Sequence, residues 1–403
     1  MRLSKMNARR FGLALTSVLG CCNAAHALTG PANINIDGGW LGQLELSGGI
    51  DGYGYYASGT KSYANAGGTG VGTSSSTGPK ATGGDVADAI VELQKTSGLV
   101  QFNIQVGAFS PALGLGTRPM QTSVQMFSSG PLFQGDVTIA PPGAPVTVYA
   151  GIIPSLEGYE ASFDWNNANQ FSTDIYQVEN AQNLGAGVNY TSGPISATVT
   201  FGDGWNTKVF NFLQGALTYS PNANNAATVY FATNLGRTGL NANIYGNAIV
   251  PYDQTTVGTF GANYVNSTMV GGYYSYTNGN LNIVPEVQYV TAKADAKLNL
   301  LKQSSNFGAA IFENYNFANT PYSLGAWVEY ADSVGPDFWY IGPRSELVGV
   351  SIAPAWQYKD LFVRPDLGAL YLLNNKSFST ASYGNNGRNK FVFTGTLEAG
   401  FLF

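Results

Sequence analysis

Residues 391–403 read FVFTGTLEAGFLF, and this stretch decides between the two folds that the rest of the chain allows. One face of the predicted strand carries Phe391, Phe393, Leu397, Ala399, Phe401 and Phe403, and the other carries Thr394, Thr396, Glu398 and Gly400. An amphipathic strand that ends the chain on an aromatic residue is the usual assembly signal of outer-membrane β-barrels. We assign that signal to Phe401 and Phe403.

The same period-two alternation recurs along the whole chain, most clearly over 99–107, 194–202 and 281–290. A soluble β-sandwich would bury the apolar face and hydrate the polar one. A transmembrane barrel places the apolar face against lipid and the polar face in a wet lumen. The polar faces here carry mainly Gly, Ser, Thr and Ala, and aromatic residues lie near strand ends, so the barrel is the better interpretation.

Short turns alternate with long connections, which is typical of a membrane barrel with periplasmic turns and outer loops. The pattern predicts an all-β, antiparallel up-and-down barrel of about 18 strands with both termini on the periplasmic side. Its long loops are 59–83 and 110–143. The count includes a strand at 159–167, and the alternative count is 16 because the pattern is weak over 144–167 and 239–264.

The first 27 residues have the features of a cleaved signal peptide. Basic residues precede the apolar stretch 11–20, and Ala25 and Ala27 form the small-x-small cleavage site. The barrel domain is then 28–403. Cys21 leaves a lipoprotein site as the alternative. No later apolar run is long enough for a transmembrane helix.

Composition excludes several classes of function. Charged residues make up 11% of the chain and its net charge is −5, so a basic face for nucleic acid is not expected. Cleavage after Ala27 removes Cys21, Cys22 and His26, which are all the cysteines and the one histidine. The mature chain therefore lacks thiolate and imidazole chemistry. We expect no enzyme activity, no cofactor and no metal site, and no Ser-Lys or acid-pair hydrolase constellation stands out.

Several segments resemble the OmpL-like β-barrel porins. They are 153–160 (IPSLEGYE), 183–204 (NLGAGVNYTSGPISATVTFGDG) and 397–403 (LEAGFLF), in that order along the chain. The resemblance covers most of the chain from about residue 40 and implies an outer-membrane porin of a Gram-negative bacterium. It carries no catalytic motif, and loop 59–83 has no counterpart in it.

If the apolar faces contact lipid, the opposite faces line the pore. The predicted pore-lining residues are Asp88, Glu92, Gln101, Asn103, Gln105, Glu286, Gln288, Glu329, Arg364, Asp366 and Glu398. Acids outnumber the one arginine, which predicts a weak preference for cations. The alternative is that these side chains are merely solvated and have no measurable effect on ion preference, since salt screens charges in water.

Two segments raise further expectations. Loop 110–143, with Arg118 and Asp136, is a candidate constriction loop that folds into the barrel, and a surface loop is the alternative. Glu313 shares its strand face with Phe307, Ile311 and Tyr315, so it would face lipid. Because a lipid-facing carboxylate is costly at mid-depth, we expect a register shift or a bulge there.

These observations predict a porin in the bacterial outer membrane that lets small hydrophilic solutes and ions diffuse passively. Its expected partners are outer-membrane lipid, the solutes themselves and the barrel-assembly machinery, and a homotrimer is an open alternative. The competing function is a plugged, non-conducting barrel with a structural, adhesive or receptor role.

Overall fold

Consecutive hairpins form one antiparallel sheet that closes on itself. The computed structural model describes residue 28 and residues 30–58, 80–109, 113–116, 131–239, 261–337, 339–340, 342–375 and 389–403. The strands are β1 Ile34–Asp37, β2 Gln43–Ser58, β3 Lys80–Lys95, β4 Val100–Phe109, β5 Leu113–Gly114, β6 Leu132–Ile139, β7 Val146–Pro154, β8 Phe171–Ser172, β9 Gln182–Ser192, β10 Ile195–Gly202, β11 Phe212–Asn222, β12 Asn225–Asn234, β13 Ser267–Asn278, β14 Leu281–Ala292, β15 Ser304–Asn316, β16 Tyr322–Val334, β17 Ser345–Tyr358, β18 Leu361–Asn375 and β19 Phe391–Leu402.

Pairing between the last strand and the first long strand closes the ring. β19 runs antiparallel to β2 from Thr394 opposite Ala57 to Leu402 opposite Gly49. The Phe403 amide then donates to the Gly48 carbonyl, 2.9 Å away, and the Gly48 amide returns the bond at 2.8 Å. Beyond this point β1 takes over the free edge of β2. The ring of described strands is β2–β4, β6, β7 and β9–β19, which makes 16.

The two faces of the sheet have opposite character, as the alternation predicts. Large apolar side chains on the outer surface are exposed, among them Val199, Val229, Val287, Ile352 and Leu397. Their neighbours along each strand point inward and are buried, and many of these are polar. This inverted pattern is that of a lipid-facing barrel.

The strand count corrects the prediction of about 18 to its alternative of 16. The predicted strand 159–167 is absent: this stretch has a 3₁₀ turn at Asp164–Asn166 and packs inside the ring. Its alternating Phe163 and Trp165 rings bury themselves in an internal aromatic cluster instead of facing lipid. The predicted strands at 239–264 fall largely outside the described residues, and 262–265 form a helical turn.

A strand that the sequence did not predict lies within 110–143. β6 pairs with β4 and β7, and its pairing with β4 shifts register between Gln105 and Val106. The shift leaves Phe133 and Gln134 both buried, so the outer and inner faces do not alternate there. The sequence alternates regularly only over 134–139, which is a short run within a long connection.

Glu313 lies on the outer surface, without the predicted register shift or bulge. β15 pairs in continuous register with β14 and β16 from end to end, and the residues beside Glu313 are Ile283 and Ala326. Glu313 is three residues from the end of β15, where the strand meets a tight turn. A charge costs little near the membrane interface, so the strand needs no distortion.

The ring has a turn end, where Phe403, β1 and the tight turns lie, and a loop end with longer connections. Gly279 connects β13 to β14 with φ of +59°, a left-handed conformation that glycine adopts without strain. Helices are short: α1 is Asp174–Gln177 and α2 is Ala262–Val265, with 3₁₀ turns at Gly39–Leu41, Asp164–Asn166 and Ala296–Leu298. Within the described residues, none of these helices has the length and apolarity needed to span a membrane.

The outward apolar band predicts a depth-dependent cost for charge. Ile352 lies midway along β17 and is 45% exposed, whereas Val334 ends β16 at the loop end and is 57% exposed. In barrels folded into lipid vesicles, Ile352→Arg should lower the free energy of unfolding by about 2–4 kcal/mol. Val334→Arg is the matched control and should cost at most about 1 kcal/mol. Equal costs in denaturant titrations would contradict the assignment of the band to lipid.

Candidate functional site in the lumen

The chain between β7 and β9, residues 155–181, leaves the wall and packs inside the ring; we call it the lumen segment. Its side chains are largely buried, including Phe171, Ile175 and Val178 in the main apolar cluster. Few of its residues form regular structure, and several of its backbone groups bond to side chains of the barrel wall. The segment rather than any strand therefore occupies the interior.

Hydrogen bonds fasten the lumen segment to the wall opposite its own strands. The backbone amides of Gln170 and Phe171 donate to one carboxylate oxygen of Asp366, at 2.8 and 2.9 Å. The Asp174 amide donates to Glu329 at 2.6 Å. The Trp327 indole N–H donates to the Phe171 carbonyl at 2.8 Å. Wall carboxylates thus pair with backbone amides that no strand satisfies.

A second set of bonds holds the two ends of the segment. The Gln214 amide donates to Glu157 at 2.6 Å, and the Gln288 amide donates to Glu179 at 2.7 Å. The Glu157 carboxylate also accepts from the Asn180 backbone amide at 2.8 Å, which ties the beginning of the segment to its end. The segment is therefore anchored on β11 and β14 as well as on β16 and β18.

Inward-facing glycines make room for this chain. A Cβ added at Gly325 would lie 2.4 Å from the Ala168 carbonyl oxygen, and one at Gly308 would lie 2.8 Å from the Ile175 side chain. At Gly368 the added Cβ would lie 2.4 Å from a Leu115 methyl carbon. These distances are far below contact, so the wall is shaped to the segments inside it.

A second stretch of chain joins the lumen segment. β5 pairs in parallel with β8, Leu113 opposite Phe171. Leu115 is fully buried, and its carbonyl oxygen accepts a hydrogen bond from the Tyr340 hydroxyl. Part of the connection that follows β4 therefore also lies inside the ring.

The structure places every predicted pore-lining residue on the inner face. Five carboxylates, two amides and one guanidinium of this set are buried: those of Asp88, Glu286, Glu329, Asp366 and Glu398, of Asn103 and Gln288, and of Arg364. Glu92, Gln101 and Gln105 are half-buried, and the Gln105 amide donates to Glu92 at 2.7 Å. Several of the buried groups bond the lumen segment, so their neighbours are protein groups. Their role in conduction stays a prediction.

The candidate constriction loop 110–143 needs correction. Asp136 lies on β6 in the barrel wall, where it accepts a bond of 2.8 Å from Gln134. Together with Gln101, Asn103 and Tyr149 it lines a cavity of about 50 Å³ towards the turn end. Arg118 lies outside the described residues. The described chain that crosses the lumen is 155–181, joined by 113–116.

A buried ion pair lies where the lumen segment meets the closing strands. Arg364 and Glu398 are both fully buried and approach to 2.7 Å. The same guanidinium donates to the carbonyl of Asn167 at 2.6 Å and to that of Asp164 at 3.2 Å. Arg364 is the one basic residue among the buried residues that the structure describes. Its donors thus bind the wall and the segment together.

Burial raises the pKa values of acids in the lumen segment, which does not itself span the membrane. Desolvation raises the pKa of Glu157 to about 7, although the bonds from Asn180 and Gln214 act in the opposite direction. Desolvation likewise raises the pKa of Glu160 and of Asp174 to about 7. These carboxyls favour the neutral form more than they would in water.

Sequence reasoning missed the acids of the lumen segment. Glu157, Glu160, Asp174 and Glu179 lie outside the alternating strands that survive in the structure, so no face could be assigned to them. One signal was available: the segment holds apolar residues such as Phe171, Ile175 and Val178 in a connection too irregular for a strand. A long connection of that composition is typical of chain that folds inward.

A closed antiparallel barrel of 16 strands with an apolar outer band and a polar, acid-rich interior defines an outer-membrane barrel of the porin class. The family model described as "Putative beta-barrel porin-2, OmpL-like" matches residues 43–403. The chain belongs to this OmpL-like family of β-barrel porins. It is accordingly a protein of the bacterial outer membrane.

Solved structures of outer-membrane proteins share the fold. The channel DcaP of Acinetobacter baumannii has a TM-score of 0.56 at 9% identity, over 93% of this chain and 100% of that chain. The anion-selective porin from Comamonas acidovorans has a TM-score of 0.54 at 9% identity, over 89% and 99%. OmpT of Vibrio cholerae, in its trimer form, has a TM-score of 0.52 at 11% identity, over 89% and 99%. No curated protein matches the sequence.

The close approach at Gly325 predicts that a single methyl group disturbs the lumen segment. Gly325→Ala should lower the free energy of unfolding by about 1–3 kcal/mol, because the Cβ collides with the Ala168 carbonyl. Gly54→Ala is the matched control: its Cβ would have no heavy atom closer than 3.9 Å, so stability should hold or rise slightly. Denaturant titration of both variants measures the difference in the free energy of unfolding. Equal stability of the two variants would contradict the inference that the wall is shaped to the lumen segment.

The raised carboxyl pKa values predict that docking of the lumen segment weakens as pH rises. A carboxyl whose pKa is higher when docked stabilises docking fully below its ordinary pKa of 4.5 and loses that effect as pH rises through about 7. Amide-exchange protection factors within 155–181 should therefore fall roughly tenfold from pH 6 to pH 8 for each such group. Glu157→Gln should reduce this pH dependence, whereas Glu313→Gln on the outer face should leave it unchanged.

Proposed function

We propose that this chain is a general diffusion channel for small hydrophilic solutes and ions across the outer membrane. The observation that carries the proposal is the inner face: its polar side chains belong to a closed barrel whose outer face is apolar. A barrel of this strand number is wide enough to enclose water as well as inserted chain. The lumen segment then narrows the route and selects by size.

The charge of the interior supports a weak preference for cations. Glu92 and Asp136 are half-buried acids close to the cavity at the turn end, where mobile ions can reach them. Among the residues that the structure describes, the one buried basic group, that of Arg364, is neutralised by Glu398. Fixed negative charge that is not compensated raises the local concentration of cations.

Three partners belong to this proposal. Outer-membrane lipid surrounds the apolar band. The barrel-assembly machinery binds the terminal strand. There Phe401 is exposed, and its ring stacks on that of Phe403 with the ring centroids 6.2 Å apart. A homotrimer is the proposed assembly, and a trimer form of the structurally similar OmpT of Vibrio cholerae supports it.

The lumen segment also supports a second function. Its bonds to β11, β14, β16 and β18 reach around much of the wall, as a plug would. In that case the barrel does not conduct, and its outer connections serve a structural, adhesive or receptor role. The two functions differ in a single measurable property, the conductance.

Planar-bilayer recording of the folded chain tests the proposal. We expect stable conductance steps and a reversal potential, under a salt gradient, of the sign given by cation preference. The double variant Glu92→Gln/Asp136→Asn should move that potential towards zero, and Glu313→Gln on the outer face is its control. An anion preference in the wild type would contradict the charge assignment. Silence from a folded wild type, with steps after deletion of 161–176, would favour the plugged barrel.

A further inference from the structure

Three buried carboxylates converge where the barrel closes. Asp51 lies on β2, Glu398 on β19 and Asp164 on the lumen segment, and they are 3%, 0% and 4% exposed. One oxygen from each lies within 4.8 Å of the others. The three come from separate parts of the chain, so the closed fold brings them together.

In each carboxylate, one oxygen accepts a hydrogen bond and the other accepts none. Asp51 accepts the Asp88 backbone amide at 2.7 Å, Asp164 accepts the Gln170 amide at 3.0 Å, and Glu398 accepts Arg364 at 2.8 Å. The second oxygens, Oδ2 of Asp51, Oδ1 of Asp164 and Oε1 of Glu398, are buried and accept no hydrogen bond. Burying a carboxylate oxygen without a hydrogen-bond donor costs free energy. A positively charged ligand bound to these three oxygens would remove that cost.

The charge balance points the same way. Three carboxylates face one guanidinium, that of Arg364, which leaves two negative charges in a buried place. Asp88 adds a third, with its Oδ2 at 3.3 Å from the Asp164 amide. A divalent cation neutralises the two charges that Arg364 leaves on Asp51, Asp164 and Glu398. A proton shared between Asp51 and Glu398 is the rival solution.

We propose that Asp51, Asp164 and Glu398 bind a Ca²⁺ ion that fastens the lumen segment to the seam between β2 and β19. Ca²⁺ takes carboxylate oxygens at about 2.3–2.6 Å, so oxygens on opposite sides of the ion lie about 4.8 Å apart. The observed span fits that limit. The smaller Mg²⁺ draws its oxygens closer and demands octahedral geometry. The site stands independently of whether the barrel conducts.

Calorimetric titration of the folded full-length barrel, stripped with a chelator, tests the site. We expect one Ca²⁺ per chain, and Tb³⁺ in its place should luminesce on excitation of Trp165, which adjoins Asp164. Asp51→Asn, Asp164→Asn and Glu398→Gln should each weaken Ca²⁺ binding at least tenfold. Glu286→Gln is the matched control, because this acid is 2% exposed on β14, and its Ca²⁺ affinity should equal that of the wild type.

Folding of each variant is checked by heat-modifiable gel mobility and by circular dichroism. Asp164→Asn changes no strand, so it keeps the test decisive if the strand variants do not fold. Absence of Ca²⁺ and Tb³⁺ binding by the folded wild type up to about 10⁻³ M would overturn the proposal in favour of the shared proton. Equal binding by all variants would overturn the ligand set, and tighter binding of Mg²⁺ would overturn the choice of ion.

Discussion

The structure depends on closure of the sheet between β19 and β2. Lipid offers no hydrogen-bond partners, so every backbone amide and carbonyl within the membrane must pair inside the protein, and an open strand edge is excluded. The pairing from Thr394 and Ala57 to Leu402 and Gly49 removes the last edge. The terminal residue completes it through the two bonds between Phe403 and Gly48. The apolar outer band can face lipid because this seam exists.

Closure also creates an interior that the chain has to fill or hydrate. The lumen segment fills much of this interior, and its contacts with the wall include many polar ones. Wall carboxylates such as those of Asp366 and Glu329 accept hydrogen bonds from backbone amides of the segment. Burial of so many acids is unfavourable unless donors, protons or cations compensate them. For Glu157 and Glu160 the compensation is a raised pKa, which favours the neutral carboxyl. For Glu398 it is the direct ion pair with Arg364.

Sequence alone revealed the barrel because the outer surface obeys a single rule. Strands such as 281–290 meet lipid on one face, and the period-two pattern records it directly. The interior follows no such rule. Stretch 159–167 alternates like a strand yet packs inside, and β6 is a strand whose shifted register leaves a regular alternation only over 134–139.

The inner-face residues could be predicted, but their partners could not. Parity along β14 and β18 places Glu286 and Asp366 inside, whereas the bond from the Phe171 amide to Asp366 depends on how a connection folds. The same limit hid the meeting of Asp51, Asp164 and Glu398, since three distant positions share no local pattern. Gly325 illustrates the limit. The sequence places it in a strand, but the reason for a glycine there is the nearby Ala168 carbonyl, which only the structure reveals.

The anchors of the lumen segment impose an order on assembly. Phe171 and its acceptor Asp366 are 195 residues apart in the chain, and Asp174 and Glu329 are 155 apart. The segment is synthesised long before the wall that holds it, and β18 must be in place before those bonds can form. The contacts that fix the segment therefore form only after the C-terminal strands have joined the sheet, which makes them late events in folding.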